Sequence, residues 1–111
     1  MILILKEKAS KEQLTEVMQI YPGYAKVVAD IKRNLLAAGG EYHIDCEQIL
    51  LADGSLQSDL WSGGYRLESK EVDFMGLTNY KANINHFSYE ITNAEIREQV
   101  EKIVRKVFDY E

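Results

Sequence analysis

The stretch between Gly39-Gly40 and Asp53-Gly54 is closed at both ends by chain-breaking residues, and it constrains the fold more than any other part of the sequence. It reads Glu41-Tyr42-His43-Ile44-Asp45-Cys46-Glu47-Gln48-Ile49-Leu50-Leu51-Ala52. Side chains alternate along a strand, so an extended Glu41–Leu51 puts Glu41, His43, Asp45 and Glu47 on one face and Tyr42, Ile44 and Cys46 on the other. The same letters also allow a short helix capped near Asp45. The strand is the preferred reading.

The remaining elements follow from punctuation and periodicity. Met1 to Lys6 is a short apolar run that suits a strand. Ser10-Lys11-Glu12-Gln13 forms a capping box, in which hydroxyl and amide satisfy orphan backbone donors, and Leu14, Val17, Met18 and Tyr21 continue at helical spacing. Pro22-Gly23 stops that helix. Tyr24, Val27, Val28, Ile31, Leu35 and Ala38 repeat at three and four and predict a second helix over 24–38, with Gly39 as its left-handed stop. A meander is expected over 41–81: Glu41–Leu51, Gly64–Glu68 and Val72–Lys81, with turns at Asp53-Gly54 and Ser62-Gly63-Gly64. Residues 82–91 read as a polar and aromatic loop. Thr92 or Asn93 caps a last helix whose Ile96, Val100, Ile103, Val104, Val107 and Phe108 share one face, with Glu101 and Arg105 spaced for an ion pair. The expected fold is α+β in a single domain over 1–111: N-terminal strand, helical hairpin, antiparallel β-meander and C-terminal helix, with the helices on one face of the sheet.

Composition narrows the function classes. Among 111 residues, 46% are hydrophobic, which is globular rather than disordered. One cysteine excludes an internal disulfide and suits a reducing, cytoplasmic setting. The N-terminal apolar run is too short for a signal-peptide core, and no stretch has the length of a membrane span. Residues 41–73 carry eight acids against Arg66 and Lys70, a net charge of −6. Such a segment repels phosphate, which leaves only Lys26, Lys32 and Arg33 as a basis for nucleic-acid binding and makes it an unfavoured reading. A basic partner surface or a cation suits it better.

Three places could carry chemistry. His43, Asp45 and Glu47, with Glu41 and His86 as further groups, could ligate a divalent cation and support a small metal-dependent hydrolase. Trp61, beside a Gly-rich corner, could anchor a partner. Asn79, Lys81 and His86 could bind an anion or a carbonyl-rich ligand. Cys46, among acids, reads as a small buried hydrophobe rather than a nucleophile. No Ser-His-Asp order, HExxH, Walker, paired CxxC or GxGxxG pattern occurs. The reading is therefore of a protein of unknown function, a small non-enzymatic binding or regulatory domain with no cofactor, acting on a protein partner or as a homo-oligomer. The metal-dependent hydrolase is the alternative.

The order of short motifs resembles a family of small bacterial proteins known only as a domain of unknown function. The resemblance rests on Gly39-Gly40-Glu41-Tyr42-His43, Leu50-Leu51-Ala52-Asp53-Gly54-Ser55, Gln57, Asp59-Leu60-Trp61, Phe74, Asn79, Ser88, Glu90-Ile91 and Glu95-Ile96-Arg97. It covers most of the chain after Gly39. Lys81-Ala82 stands where relatives tend to have Arg-Pro, and the loop after it is less basic here. The resemblance implies size and shape, and no catalytic residue comes with it.

Overall fold

The computed structural model describes residues 1–109. The elements are β1 (Leu3–Leu5), α1 (Lys11–Val17), β2 (Tyr24–Asp30), β3 (Leu35–Ala38), α2 (His43–Ala52), β4 (Leu60–Arg66), β5 (Val72–Asp73) and α3 (Ala94–Phe108). The five strands form an antiparallel sheet in the order β1-β3-β2-β4-β5. The fold is α+β with a C-terminal helix, as expected.

The expected helical hairpin is instead one helix and one β-hairpin. The capping box of α1 is present, with Gln13 N–H on the Ser10 hydroxyl and Ser10 N–H on the Gln13 amide oxygen. Residues 24–30 and 35–38 are extended. Asp30 turns the chain: its Oδ1 accepts from the N–H groups of Lys32 and Arg33, each at 2.9 Å, and Asn34 takes a left-handed conformation with φ 59. This turn sets Val27 opposite Ala38 and Ala29 opposite Leu36.

The sheet is covered on both faces, which corrects the expectation of helices on one face. Ala25, Val27, Ala29, Leu36, Ala38, Trp61 and Tyr65 point to one side, where Val17 and Met18 of α1 and Val100, Ile103, Val104, Val107 and Phe108 of α3 complete the main core. Val28, Leu35, Ala37 and Leu60 point to the other, where Cys46 and Leu50 of α2 close a smaller core. The central strand β2 is thus buried from both sides.

The segment expected to open the meander is the helix α2, so the minority reading holds. Asp45 Oδ2 accepts from Tyr42 N–H at 3.1 Å at the start of the helix. Gly40 lets α2 lie close, since a Cβ there would come within 3.2 Å of the Cys46 sulfur. The second expected strand begins earlier, at Leu60, and includes Trp61 and Ser62. The third stops at Asp73. No described helix is long and apolar enough to cross a membrane.

Candidate functional site

Because β5 pairs only with Gly64 and Tyr65, the first half of β4 has no neighbouring strand on the edge away from β2. The segment 74–92 fills that edge through single 3₁₀ turns at Leu77–Asn79 and Ala82–Ile84. Asn79 is fully buried and does the work of a strand: Oδ1 accepts from Ser62 N–H at 2.7 Å, and Nδ2 shares its hydrogens among the carbonyls of Ser62, Phe74 and Tyr89.

His86 is held from both nitrogens. Its Nε2 accepts from Thr92 N–H at 3.2 Å, so Nδ1 carries the proton and donates to the Asn79 carbonyl at 2.6 Å. The ring meets Trp61 edge to face, with centroids 5.2 Å apart. Lys81 and His86 also exchange backbone hydrogen bonds of 2.8 and 3.0 Å, which clasp the 82–85 turn.

Lys81 is buried, with its ammonium 5.0 Å from the centre of the Trp61 ring and donating to the Gln57 carbonyl at 2.7 Å. Burial pushes its pKa down to about 8, against the pull of Glu47 and Asp59. Glu47 accepts from Thr78 at 3.2 Å and from Gln57 at 3.3 Å. The four residues singled out for binding, Trp61, Asn79, Lys81 and His86, therefore sit together, but their side chains face inward.

The potential ligands of α2 diverge. On a helix His43 and Glu47 share a side, and Asp45 points elsewhere to hold Tyr42 N–H. His43 Nε2 donates to the Gly63 carbonyl at 2.8 Å, and burial lowers its pKa, with the Gly63 bond opposing. Among the described residues no three His, Cys, Asp or Glu side chains converge on one point. The single-face set of His43, Asp45 and Glu47 depended on a strand, and the helix removes it. Cys46 is buried, and burial pushes its thiol up to about 11.

The outer side of the same 75–89 segment is apolar. Leu77 and Phe87 are each 63% exposed, Tyr89 52%, Ile84 48%, Met75 47% and Tyr80 45%, whereas Asn79 and Lys81 are 0% and 2%. Tyr80 touches both Phe87 and Tyr89, with ring centroids at 6.0 and 5.5 Å. The sequence reading singled out the polar members and missed these aromatics. The signal available was their interleaving with Asn79, Lys81 and His86 in one short segment.

A family described as a protein of unknown function, DUF5674, matches residues 3–107. The chain belongs to this family. No curated protein and no solved structure matches the chain. The match spans every element of the DUF5674 chain except the last residue of α3, so the sheet, its three helices and the 74–92 segment all lie within the family region.

Proposed function

We propose that this protein is a non-enzymatic binding domain, and that the outer side of residues 75–89 contacts its protein partner, another protein or a second copy of the chain. The observation that carries this reading is the inverted polarity of the segment. Folding alone favours apolar side chains inside and polar ones outside. Here Thr78, Asn79, Lys81 and His86 are buried, while Leu77, Tyr80, Ile84, Phe87 and Tyr89 face solvent. Buried hydrogen bonds hold the backbone, so the aromatic surface is preorganised and binding costs little further ordering. Contiguous exposed aromatics of this kind mark interaction sites. The lone buried thiol Cys46 suits the reducing cytoplasm.

The test compares tagged wild type with Tyr80→Ser/Phe87→Ser, by co-purification and by sedimentation. The expected result is a stoichiometric companion, another protein or a second copy, that the double variant loses while keeping its circular dichroism and melting temperature. Identical companions for both proteins, or none for either, would refute the reading.

A further inference from the structure

A second site, sharing no residue with the aromatic surface, lies at the C-terminal end of β2. The turn after β2 and the loop before β4 enclose a cleft of about 340 Å³, lined by Asp30, Lys32, Arg33, Gly54, Leu56 and Asp59. Its volume is at the small end of ligand sites, the range of a metabolite rather than a peptide.

The charges of this cleft are unevenly used. Asp30 is fully buried; its Oδ1 takes two backbone N–H groups, and its Oδ2 has no partner. A buried carboxylate oxygen without a donor is a rare feature that calls for an explanation. Arg33 is committed, with Nη1 on the Ser55 hydroxyl at 2.7 Å and Nη2 on Asp53 at 2.6 Å. Lys32 is exposed and makes no ion pair or side-chain hydrogen bond among the described residues. One free acceptor and one free cation therefore flank the same cleft, with Leu56, 60% exposed, offering apolar surface beside them.

This combination selects a ligand class. A simple anion meets the carboxylates of Asp30 and Asp59. A simple cation meets Lys32 and Arg33. A small molecule with both charges satisfies both. We infer that the cleft between the Asp30–Asn34 turn and the Gly54–Asp59 loop binds an α-amino-acid-like zwitterion, with its ammonium on Asp30 Oδ2 and its carboxylate on Lys32. Its side chain lies against Leu56. The inference is independent of the partner surface, since no residue is shared.

The test is a titration of ¹⁵N-labelled protein with individual α-amino acids, from glycine to phenylalanine, with acetate and methylammonium as single-charge probes. The amides of Lys32 and Arg33 report directly, because they bond to Asp30 Oδ1. At least one amino acid is expected to move them saturably in the millimolar range, while neither single-charge probe does. Asp30→Asn keeps the turn acceptor and removes the free one, and should weaken binding by about tenfold or more. Lys32→Met, on the surface, should weaken it as well and decides the matter if Asp30→Asn does not fold. Silence with every amino acid, an equal response to acetate or methylammonium alone, or undiminished binding in the folded variants overturns the inference.

Discussion

The Asn79 side chain stands beside Ser62 where the next strand of the sheet would run, accepting from its N–H at 2.7 Å and donating to its carbonyl at 3.2 Å. A side-chain amide has the same donor and acceptor as a peptide group, so one residue closes an edge that β5 leaves open. Asn79→Ala strips partners from Ser62 N–H and from the carbonyls that Nδ2 serves. Each buried group left unpaired costs about 1–3 kcal/mol, so a total loss on the order of 3–5 kcal/mol is expected in urea unfolding. A loss under about 1 kcal/mol would mean that the edge is held by something else.

Lys81 makes stability depend on alkaline pH in a definite direction. Its folded pKa is lowered from 10.5 to about 8 by burial. Between these values the unfolded chain holds a proton that the folded chain has released, so stability rises with pH, by at most ~1.4 kcal/mol per unit. Cys46 acts oppositely: its folded pKa is raised from 9.0 to about 11, so its contribution is complete below 9 and lost by 11. Tyr65, raised from 10.0 to about 12, adds a further loss above 10. Urea midpoints should therefore rise from pH 8 to 9, level off, and fall beyond 10. Lys81→Met should abolish the rise, and a wild-type midpoint that falls between pH 8 and 9 would contradict the account.

His43 governs the acid side. Burial lowers its pKa below the ordinary 6.5, although its bond to the Gly63 carbonyl favours the charged ring. Below 6.5 the unfolded imidazole takes up a proton before the folded one does, so this contribution is present above 6.5 and fades as pH falls through the folded value. His43→Gln, which can still donate to Gly63, should show a shallower loss of stability between pH 6.5 and 5. Parallel curves for the two proteins would assign the acid loss to other groups.

The error at residues 24–38 has a physical origin. A central strand buried on both faces loses the alternation that marks strands, and Val27-Val28-Ala29 then satisfies helical spacing as well. The decisive residues were Asp30 and Asn34, inside the span expected to be helical, which make the turn between two strands. The inverse error came at 41–51. Ile44, Ile49 and Leu51 are exposed on α2, so the helix has no clean polar face to betray it. By contrast α1 and α3 were legible from their caps. Asn93, the competing cap, is the one used, its Oδ1 accepting from Ile96 N–H at 3.0 Å.

The candidate site was legible as a set of letters and not as a geometry. Asn79, Lys81 and His86 stood out as unusual polar residues, but their neighbours are set by long-range contacts, Ser62 from β4 and Gln57 from the loop before it. Local pattern carries no information on such pairings. The inward turn of these side chains follows from the short β5, which leaves the β4 edge in need of donors and acceptors.

At Gly76 the 74–92 segment passes close against the sheet edge. A Cβ at this position would collide with the Ser62 side chain and come within 3.1 Å of His43 Nδ1. Ser62 lies in a strand and cannot yield. Gly76→Ala should cost about 1–3 kcal/mol, the range for overpacking. Pairing it with Ser62→Gly removes the obstacle and should recover part of the loss, whereas simple additivity of the two variants would rule out this contact as the cause.

Cys46 should be inert in the native protein. It faces the sheet from α2 against Val28 and Ala37, has no exposed surface, and its thiol is raised to about 11 by burial, against a bond to the Gly40 backbone. Only the thiolate reacts, and neither access nor ionisation favours it here. At pH 7.5 a thiol reagent should modify the folded chain at least ~10³-fold more slowly than the chain in urea, since a domain of ordinary stability opens that rarely. The start of α2 is tied down by His43 on the Gly63 carbonyl and by the Tyr21 hydroxyl and Lys26 ammonium on the Glu41 carbonyl, so the measurement also reports whether that helix lifts on its own. A native rate that rises with Gly40→Ala while the global unfolding midpoint holds would show local opening; a native rate close to the urea value would show that α2 does not cover the thiol.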